Sequence, residues 1–300
     1  MKLHPTQDPL IRALFVIIGV VFLFGFAILG ISFFENRGET APNFPSAIVL
    51  SPEALQAKSA LLYDPTTGRV LFAKNSKEQL PLASLTKLMT AQVVLGAMAR
   101  ETPVEITAED LKPSGDWGLR PGDTLQLGEL LRFALVASSN DAMAAAAASL
   151  GQGYLGEMNK TARRLGLSST YFLNPTGVDI SVSEDSAGAY GSARDIALLD
   201  EALVREHADF FEMTITKSVS IVDGNRTPTA DATAASLADI PGLIGAKTGY
   251  TDLAGGNLVA AFDISLGHPL IAVVLGSTEE GRFTDIRALI NAARTKDGPL

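Results

Sequence analysis

Three short segments carry residue types that could act together on an electrophilic carbonyl. In the first, Ser84-Leu85-Thr86-Lys87, a hydroxyl and an amine stand three residues apart. Positions i and i+3 of a helix share a face, so the Lys87 amine points at the Ser84 hydroxyl. Burial or a neighbouring cation that lowers a lysine pKa from about 10.4 toward neutrality would make that amine a general base. At a helix start, the Ser84 Oγ would also meet the positive end of the helix dipole. The same four residues fit a capping serine followed by a solvated lysine. In the second segment, Ser138-Ser139-Asn140 lies between two helical patterns. It can project a second hydroxyl and a carboxamide into a cleft, or serve simply as a helix N-cap. In the third, Lys247-Thr248-Gly249 within GAKTGYT, a cation and a hydroxyl precede a glycine at a strand edge. A glycine there lets a substrate backbone approach closely. A phosphate loop of the G-x-x-x-x-G-K-[ST] type is excluded, because its first glycine and its following helix are both missing.

Composition removes the competing chemistries. The 300 residues include no cysteine, which excludes disulfides, thiolate nucleophiles, iron–sulfur clusters and cysteine-rich zinc sites. The histidines are His4, His207 and His268, and none sits in a motif that suggests a Ser-His-Asp triad. A serine nucleophile here therefore needs another base, and lysine is the substitute. The expected chemistry uses no cofactor and no metal. A net charge of -9 with no Lys/Arg-rich block argues against a nucleic-acid partner.

These residues need elements to hold them. SALLYDPTTGRVLFAKN reads as a β-hairpin around a Pro/Thr/Gly turn. SLTKLMTAQVVLGAMA reads as a helix capped by Ser84, with its apolar positions on one side. Helical spacing dominates from about 104 to 207, in LGELLRFALVA, DAMAAAAASLG, YLGEMNKTARRLG and SARDIALLDEALVREH. Strand character returns in FEMTITKSVSIV, LIGAKTGYT, GGNLVAAFDI and HPLIAVVLGS, and GRFTDIRALINAART closes as an amphipathic helix. This order predicts an α/β (α+β) fold. Its sheet is flanked by helices, and an all-helical lobe is inserted between the first and last strands.

Ahead of this domain, residues 13–34 carry no charge. They would span roughly 33 Å as a helix, enough for a bilayer core. Lys2 and Arg12 precede the run, and Glu35, Arg37 and Glu39 follow it. The pattern predicts a cytoplasmic segment 1–12, an uncleaved transmembrane signal anchor 13–34 and a linker 35–57. The catalytic domain 58–300 is then extracytoplasmic, on the membrane's outer side.

Taken in order, S-x-x-K, S-x-N and K-T-G match the active-site set of the serine β-lactamases and penicillin-binding proteins. The flanking stretches YDPTTGRVLFAKNSKEQLPLASLTKLMTA, SSNDA, MNKTARRLGLSSTYFLNPTG, SARDIALL, KTGYTDLAGGNLVAA and GRFTDIRALI narrow the match. Over residues 58–293 the chain resembles the D-alanyl-D-alanine carboxypeptidases. The resemblance implies a central antiparallel sheet with a helical subdomain. It implies that Ser84 is the nucleophile, Lys87 its base, Ser138 the proton relay to the leaving amine and Asn140 the group that orients the substrate amide. Lys247 would lower the Lys87 pKa, and Thr248 and Arg282 would hold the substrate's terminal carboxylate. Gly249 would lie against the substrate, and the N–H groups of Ser84 and Tyr250 would form the oxyanion hole. The implied partners are peptidoglycan stem peptides, with β-lactams as inhibitors; no oligomeric state is implied.

The chain departs from the family pattern in places. Ser139 replaces the usual glycine of SGNDA, and PTADATAASLADIPG replaces an Asn-containing segment. Many relatives continue into a β-rich C-terminal domain and an amphipathic anchor helix; neither is expected here, and residues 13–34 are expected to do the anchoring instead. The leading reading is a D,D-carboxypeptidase acting on stem pentapeptides, and the alternative is a D,D-endopeptidase of the same fold cutting crosslinks. A class A β-lactamase would need a Glu three residues before Leu173-Asn174, where Thr170 stands. A catalytically dead wall-binding protein is opposed by the intact Ser, Lys, Ser, Asn and Lys set.

Overall fold

In the computed structural model, which describes residues 50–113, 115, 117–222, 224 and 226–295, the chain joins the fold three residues before Lys58. Leu55 and Ala57 are buried. The Asp285 carboxylate accepts the N–H groups of Gln56 (3.0 Å) and Ala57 (2.8 Å) and the Ser277 hydroxyl (2.7 Å). The end of the expected linker is thus docked, because a buried carboxylate needs these donors. Residues 1–12, the anchor 13–34 and the linker to residue 49 lie outside the described residues. Among the described residues no helix is long and apolar enough to cross a membrane.

The chain begins with β1 (Ser59–Asp64), β2 (Arg69–Lys74), β3 (Leu80–Pro81) and α1 (Thr86–Ala97). The inserted lobe holds β4 (Pro103–Glu105), β5 (Thr124–Gln126), α2 (Leu127–Val136), α3 (Asn140–Ala148), α4 (Tyr154–Arg164), β6 (Tyr171–Phe172) and β7 (Ala189–Gly191). After α5 (Ala193–Glu212) come β8 (Ser218–Ser220), β9 (Thr229–Asp231), β10 (Leu243–Thr251), β11 (Gly255–Ser265), β12 (His268–Ser277) and α6 (Gly281–Arg294).

Five strands form the central sheet in the order β10-β11-β12-β1-β2, every pair antiparallel. The β1–β2 hairpin closes as its sequence predicts: the Asp64 side chain accepts the N–H groups of Thr66 and Thr67. β11 and β12 are buried at nearly every position, which requires cover on both faces, and α5 and α6 pack against them. β10 is an edge strand.

Four expectations change. Ser84 does not cap a helix: Ala83–Leu85 form a 3-10 turn, and α1 begins at Thr86. Nor is α1 apolar on one side only. Every residue from Thr86 to Gln92 is buried, as in a helix enclosed by its neighbours. FEMTITKSVSIV is mostly not strand, since α5 runs on to Glu212 through a kink at His207 and a 3-10 turn follows at Met213–Ile215. That turn places the Thr214 hydroxyl to accept the Ala246 N–H at 2.8 Å, covering part of the β10 edge. Finally, the lobe is not purely helical, because β4–β5 and β6–β7 are small antiparallel ribbons.

Candidate active site

The turn before α1 is strained where chemistry is expected. Ala83, immediately before Ser84, has φ +48°, a conformation that costs a non-glycine residue on the order of 1–3 kcal/mol. The turn is held from outside, by the Leu82 N–H donating to Ala189 O and by Asn257 Nδ2 donating to Pro81 O. Lys87 follows one turn later, entirely buried. Its Nζ lies 2.7 Å from Ser84 Oγ, 2.7 Å from Asn140 Oδ1 and 3.1 Å from Thr176 O. Burial pushes the Lys87 amine down to about 7. An uncharged amine has two N–H bonds and one lone pair. Asn140 Oδ1 and Thr176 O take the two hydrogens, so the lone pair points at Ser84 Oγ.

The Ser138-Ser139-Asn140 segment fills both roles open to it, residue by residue. Ser139 caps α3, its Oγ accepting the Ala142 N–H at 3.2 Å. Ser138 adopts φ +59°, which turns its side chain toward β10. There its Oγ accepts from Lys247 Nζ at 2.8 Å. Two hydroxyl–amine pairs, Ser84–Lys87 and Ser138–Lys247, therefore face each other across the cleft. Lys247 is also wholly buried, and burial pushes its amine well below the usual lysine range, helped by the nearby charges of Lys87 and Arg282. Burial is the cause that lowers Lys87, where the family resemblance implied Lys247.

Gly249 is small for a reason the sequence reading did not supply. A Cβ there would lie 3.1 Å from Ser84 N and 3.1 Å from Leu82 O, so β10 presses directly on the turn that carries Ser84. This contact brings the Ser84 N–H beside the backbone that leads to Tyr250. Thr248 is nearly buried, and its hydroxyl has no partner among the described residues. Tyr250 is 45% exposed at the mouth of the cleft. Arg282 is 8% exposed rather than a surface residue, and its Nη1 donates to Gly249 O at 2.9 Å.

Sequence reasoning missed the loop that completes the Lys87 environment. Asn174 Oδ1 accepts the N–H groups of Gly177 (2.7 Å) and Thr176 (3.2 Å), and its Nδ2 donates to Val178 O at 2.8 Å. That closed loop presents Thr176 O to Lys87. The signal for it was the Asn-Pro-Thr-Gly turn chemistry of residues 174–177. Thr170 lies elsewhere, its hydroxyl donating to Asp195 Oδ2 at 2.9 Å.

Known proteins share this fold. The chain is 32% identical over 259 residues to D-alanyl-D-alanine carboxypeptidase DacF of Bacillus subtilis, covering 80% of this chain and 62% of that protein. A D-alanyl-D-alanine endopeptidase of Pseudomonas aeruginosa is 32% identical over 170 residues, 52% of this chain and 54% of that one. The chain spans between 60% and 67% of the length of the first curated carboxypeptidases it matches. Among solved structures, the D-alanyl-D-alanine carboxypeptidase of Mycobacterium tuberculosis superposes with a TM-score of 0.74 at 26% identity, covering 85% of this chain and 97% of that one. Penicillin-binding protein D2 of Listeria monocytogenes in its cefotaxime-bound form gives 0.70 at 29% identity, covering 80% and 97%. The family model described as D-alanyl-D-alanine carboxypeptidase matches residues 46–279, nearly all of the fold just described, and the chain belongs to that family.

Proposed function

We propose that this chain is a serine-type D-Ala-D-Ala carboxypeptidase that trims peptidoglycan stem pentapeptides. The observation that carries this reading is the wholly buried Lys87 amine, 2.7 Å from Ser84 Oγ with a pKa of about 7. Lys87 takes the Ser84 proton as Oγ attacks the carbonyl of the penultimate D-alanine. The oxyanion accepts the N–H groups of Ser84 and Tyr250, and Asn140 orients the substrate amide. The tetrahedral intermediate collapses by breaking the C–N bond, and Ser138, bonded to Lys247, passes a proton to the leaving amine. Water then hydrolyses the acyl-enzyme. Thr248, Lys247 and Arg282 make a cationic flank for the terminal carboxylate.

β-Lactams fit the same site, because their strained carbonyl and carboxylate imitate the dipeptide; the Listeria neighbour is captured with cefotaxime. Ser84→Ala should abolish labelling by fluorescent penicillin. In this reading residues 13–34 anchor the enzyme in the cell membrane with the domain outside, supported by the uncharged run and its flanking charges. Protease added outside intact cells should then digest the domain and leave a small membrane stub.

The Pseudomonas relative keeps a second reading in view, a D,D-endopeptidase cutting crosslinks. Full-length enzyme incubated with pentapeptide and with crosslinked dimer decides between them. Free D-alanine from pentapeptide is the expected product. Monomers released from dimer, with pentapeptide untouched, would establish the endopeptidase instead, and no product from either would end both readings.

A further inference from the structure

Leu55, Gln56 and Ala57, which the sequence assigns to the linker, are built into the domain beside Arg282. Leu55 and Ala57 are buried, the Leu55 carbonyl accepts from Lys74 Nζ at 2.8 Å, and the Lys58 N–H donates to Gly276 O at 3.4 Å. Asp285, itself buried, ties this strap to α6 through the N–H groups of Gln56 and Ala57, and to β12 through the Ser277 hydroxyl. Three donors on one buried carboxylate make a firm joint, because losing any of them leaves its charge poorly solvated.

The strap also meets the first turn of α6 directly. A Cβ on Gly281 would lie 2.9 Å from Gln56 Cδ, and the Thr278 hydroxyl donates to Gln56 Oε1 at 3.2 Å. Glu280 provides no side-chain cap for the helix. Thr278 holds the turn instead, its Oγ1 accepting the Gly281 N–H at 2.9 Å and its carbonyl the Arg282 N–H at 3.1 Å.

Arg282 has little to hold it apart from that turn. Its Nη1 donates to Gly249 O at 2.9 Å, and its Nη2 comes only within 3.9 Å of the exposed Glu279 carboxylate. Its Nε has no partner among the described residues. With bonds this sparse the guanidinium follows its backbone, so the place where α6 starts decides where it points. Asp285 stands three residues further on, on the same helix face. A shift of the strap would therefore move Arg282 against β10, while the Ser84–Lys87 and Ser138–Lys247 pairs keep their own bonds.

Resting on the carboxypeptidase reading, we infer that Asp285 is a positioning residue and that Leu55, Gln56 and Ala57 are its counterpart. Together they form a brace that aims Arg282 at the substrate's terminal carboxylate. Neither part of the brace touches the reacting atoms.

The test uses the full-length enzyme, pentapeptide and a small activated ester that lacks a carboxylate. Asp285→Asn keeps one acceptor oxygen but sets an amide N–H against a backbone N–H, so one anchor of the strap is lost. Its kcat/KM for pentapeptide should fall at least about fivefold, mainly through KM, and its ester rate at most about twofold. In an Arg282→Ala background the same change should cost pentapeptide less than about twofold, because residues that act through one group are not additive. Gln56→Pro removes one of the same N–H groups at an exposed position and should give the same pattern. It decides the matter if Asp285→Asn does not fold. An equal loss on both substrates, or a pentapeptide loss that persists without Arg282, would make Asp285 merely structural and overturn the inference. So would pentapeptide kinetics unchanged in both variants. These outcomes leave the carboxypeptidase reading intact. No D-alanine from the unmodified enzyme would strike that reading, and the inference would fall with it.

Discussion

A Cβ on Gly177 would lie 1.8 Å from the carbonyl oxygen of Ala83, the residue that precedes Ser84. It would also lie 2.5 Å from Thr86 Oγ1, and Gly177 has φ +80°, which L side chains rarely adopt. The 174–178 loop and the nucleophile turn are therefore packed backbone to backbone. Gly177→Ala must push one of them away. Acylation by fluorescent penicillin should fall at least about tenfold, and the melting temperature by several degrees. Unchanged acylation would show that the loop does not position Ser84.

The Lys87 amine sets a pH dependence of both rate and stability. It titrates near 7 when folded, against about 10.4 in an unfolded chain. Between those values the unfolded chain binds more protons, so this group's contribution to stability rises with pH across that window and is smallest below pH 7. Acylation, which needs the uncharged amine, should climb toward about pH 7 and level above it. Stopped-flow acylation between pH 5.5 and 8.5 measures the limb, and a flat profile would remove Lys87 as the base. In Lys87→Met the stability gain from pH 7 to 10 should shrink.

Much of this was legible in the chain because its local signals agree with its fold. The β1–β2 hairpin, β10 to β12 and α6 lie where turn residues and apolar runs place them. The three motifs meet because Ser84 and Lys87 share a turn, and Ser139 starts a helix that leaves Ser138 and Asn140 facing the cleft. What was hidden depends on tertiary contact. FEMTITKSVSIV alternates like a strand, yet Phe211 and Thr214 are buried at a helix end against β10. Thr176 acts through a backbone carbonyl, which no side-chain pattern reveals. Gly249 is small because Ser84 N is beside it, a contact between residues distant in sequence.

Asp200 on α5 is fully buried, and neither carboxylate oxygen has a hydrogen-bond partner among the described residues. Burial raises its pKa well above the usual aspartate value. The folded state therefore holds this proton where the unfolded chain has lost it. Stability falls as pH rises above about 4, by about 1.4 kcal/mol per unit until the folded group ionises. Asp200→Asn resembles the protonated form at every pH. It should match the parent enzyme near pH 4 and be the more stable at pH 8, as urea denaturation at the two pH values would show. A variant less stable at pH 8 would mean that Asp200 has a partner in solution.

Arg282 tests how the cationic flank works. Its Nη1 donates to Gly249 O, on the strand that presses against Ser84 N, and its charge helps to depress Lys247. On the proposed mechanism the guanidinium has two separable effects: it fixes the backbone beside the oxyanion site, and it adds positive potential for a terminal carboxylate. A small activated ester without a carboxylate feels the first effect, whereas pentapeptide feels both. Arg282→Ala should slow the ester severalfold and lower kcat/KM for pentapeptide about tenfold to a hundredfold. Arg282→Lys keeps the charge but not the planar fork, so it should recover part of the pentapeptide loss and little of the ester loss. Full recovery of both substrates by lysine would show that the bond to Gly249 is unimportant. Pentapeptide cleavage unaffected by alanine would assign the carboxylate to Thr248 and Lys247 without Arg282.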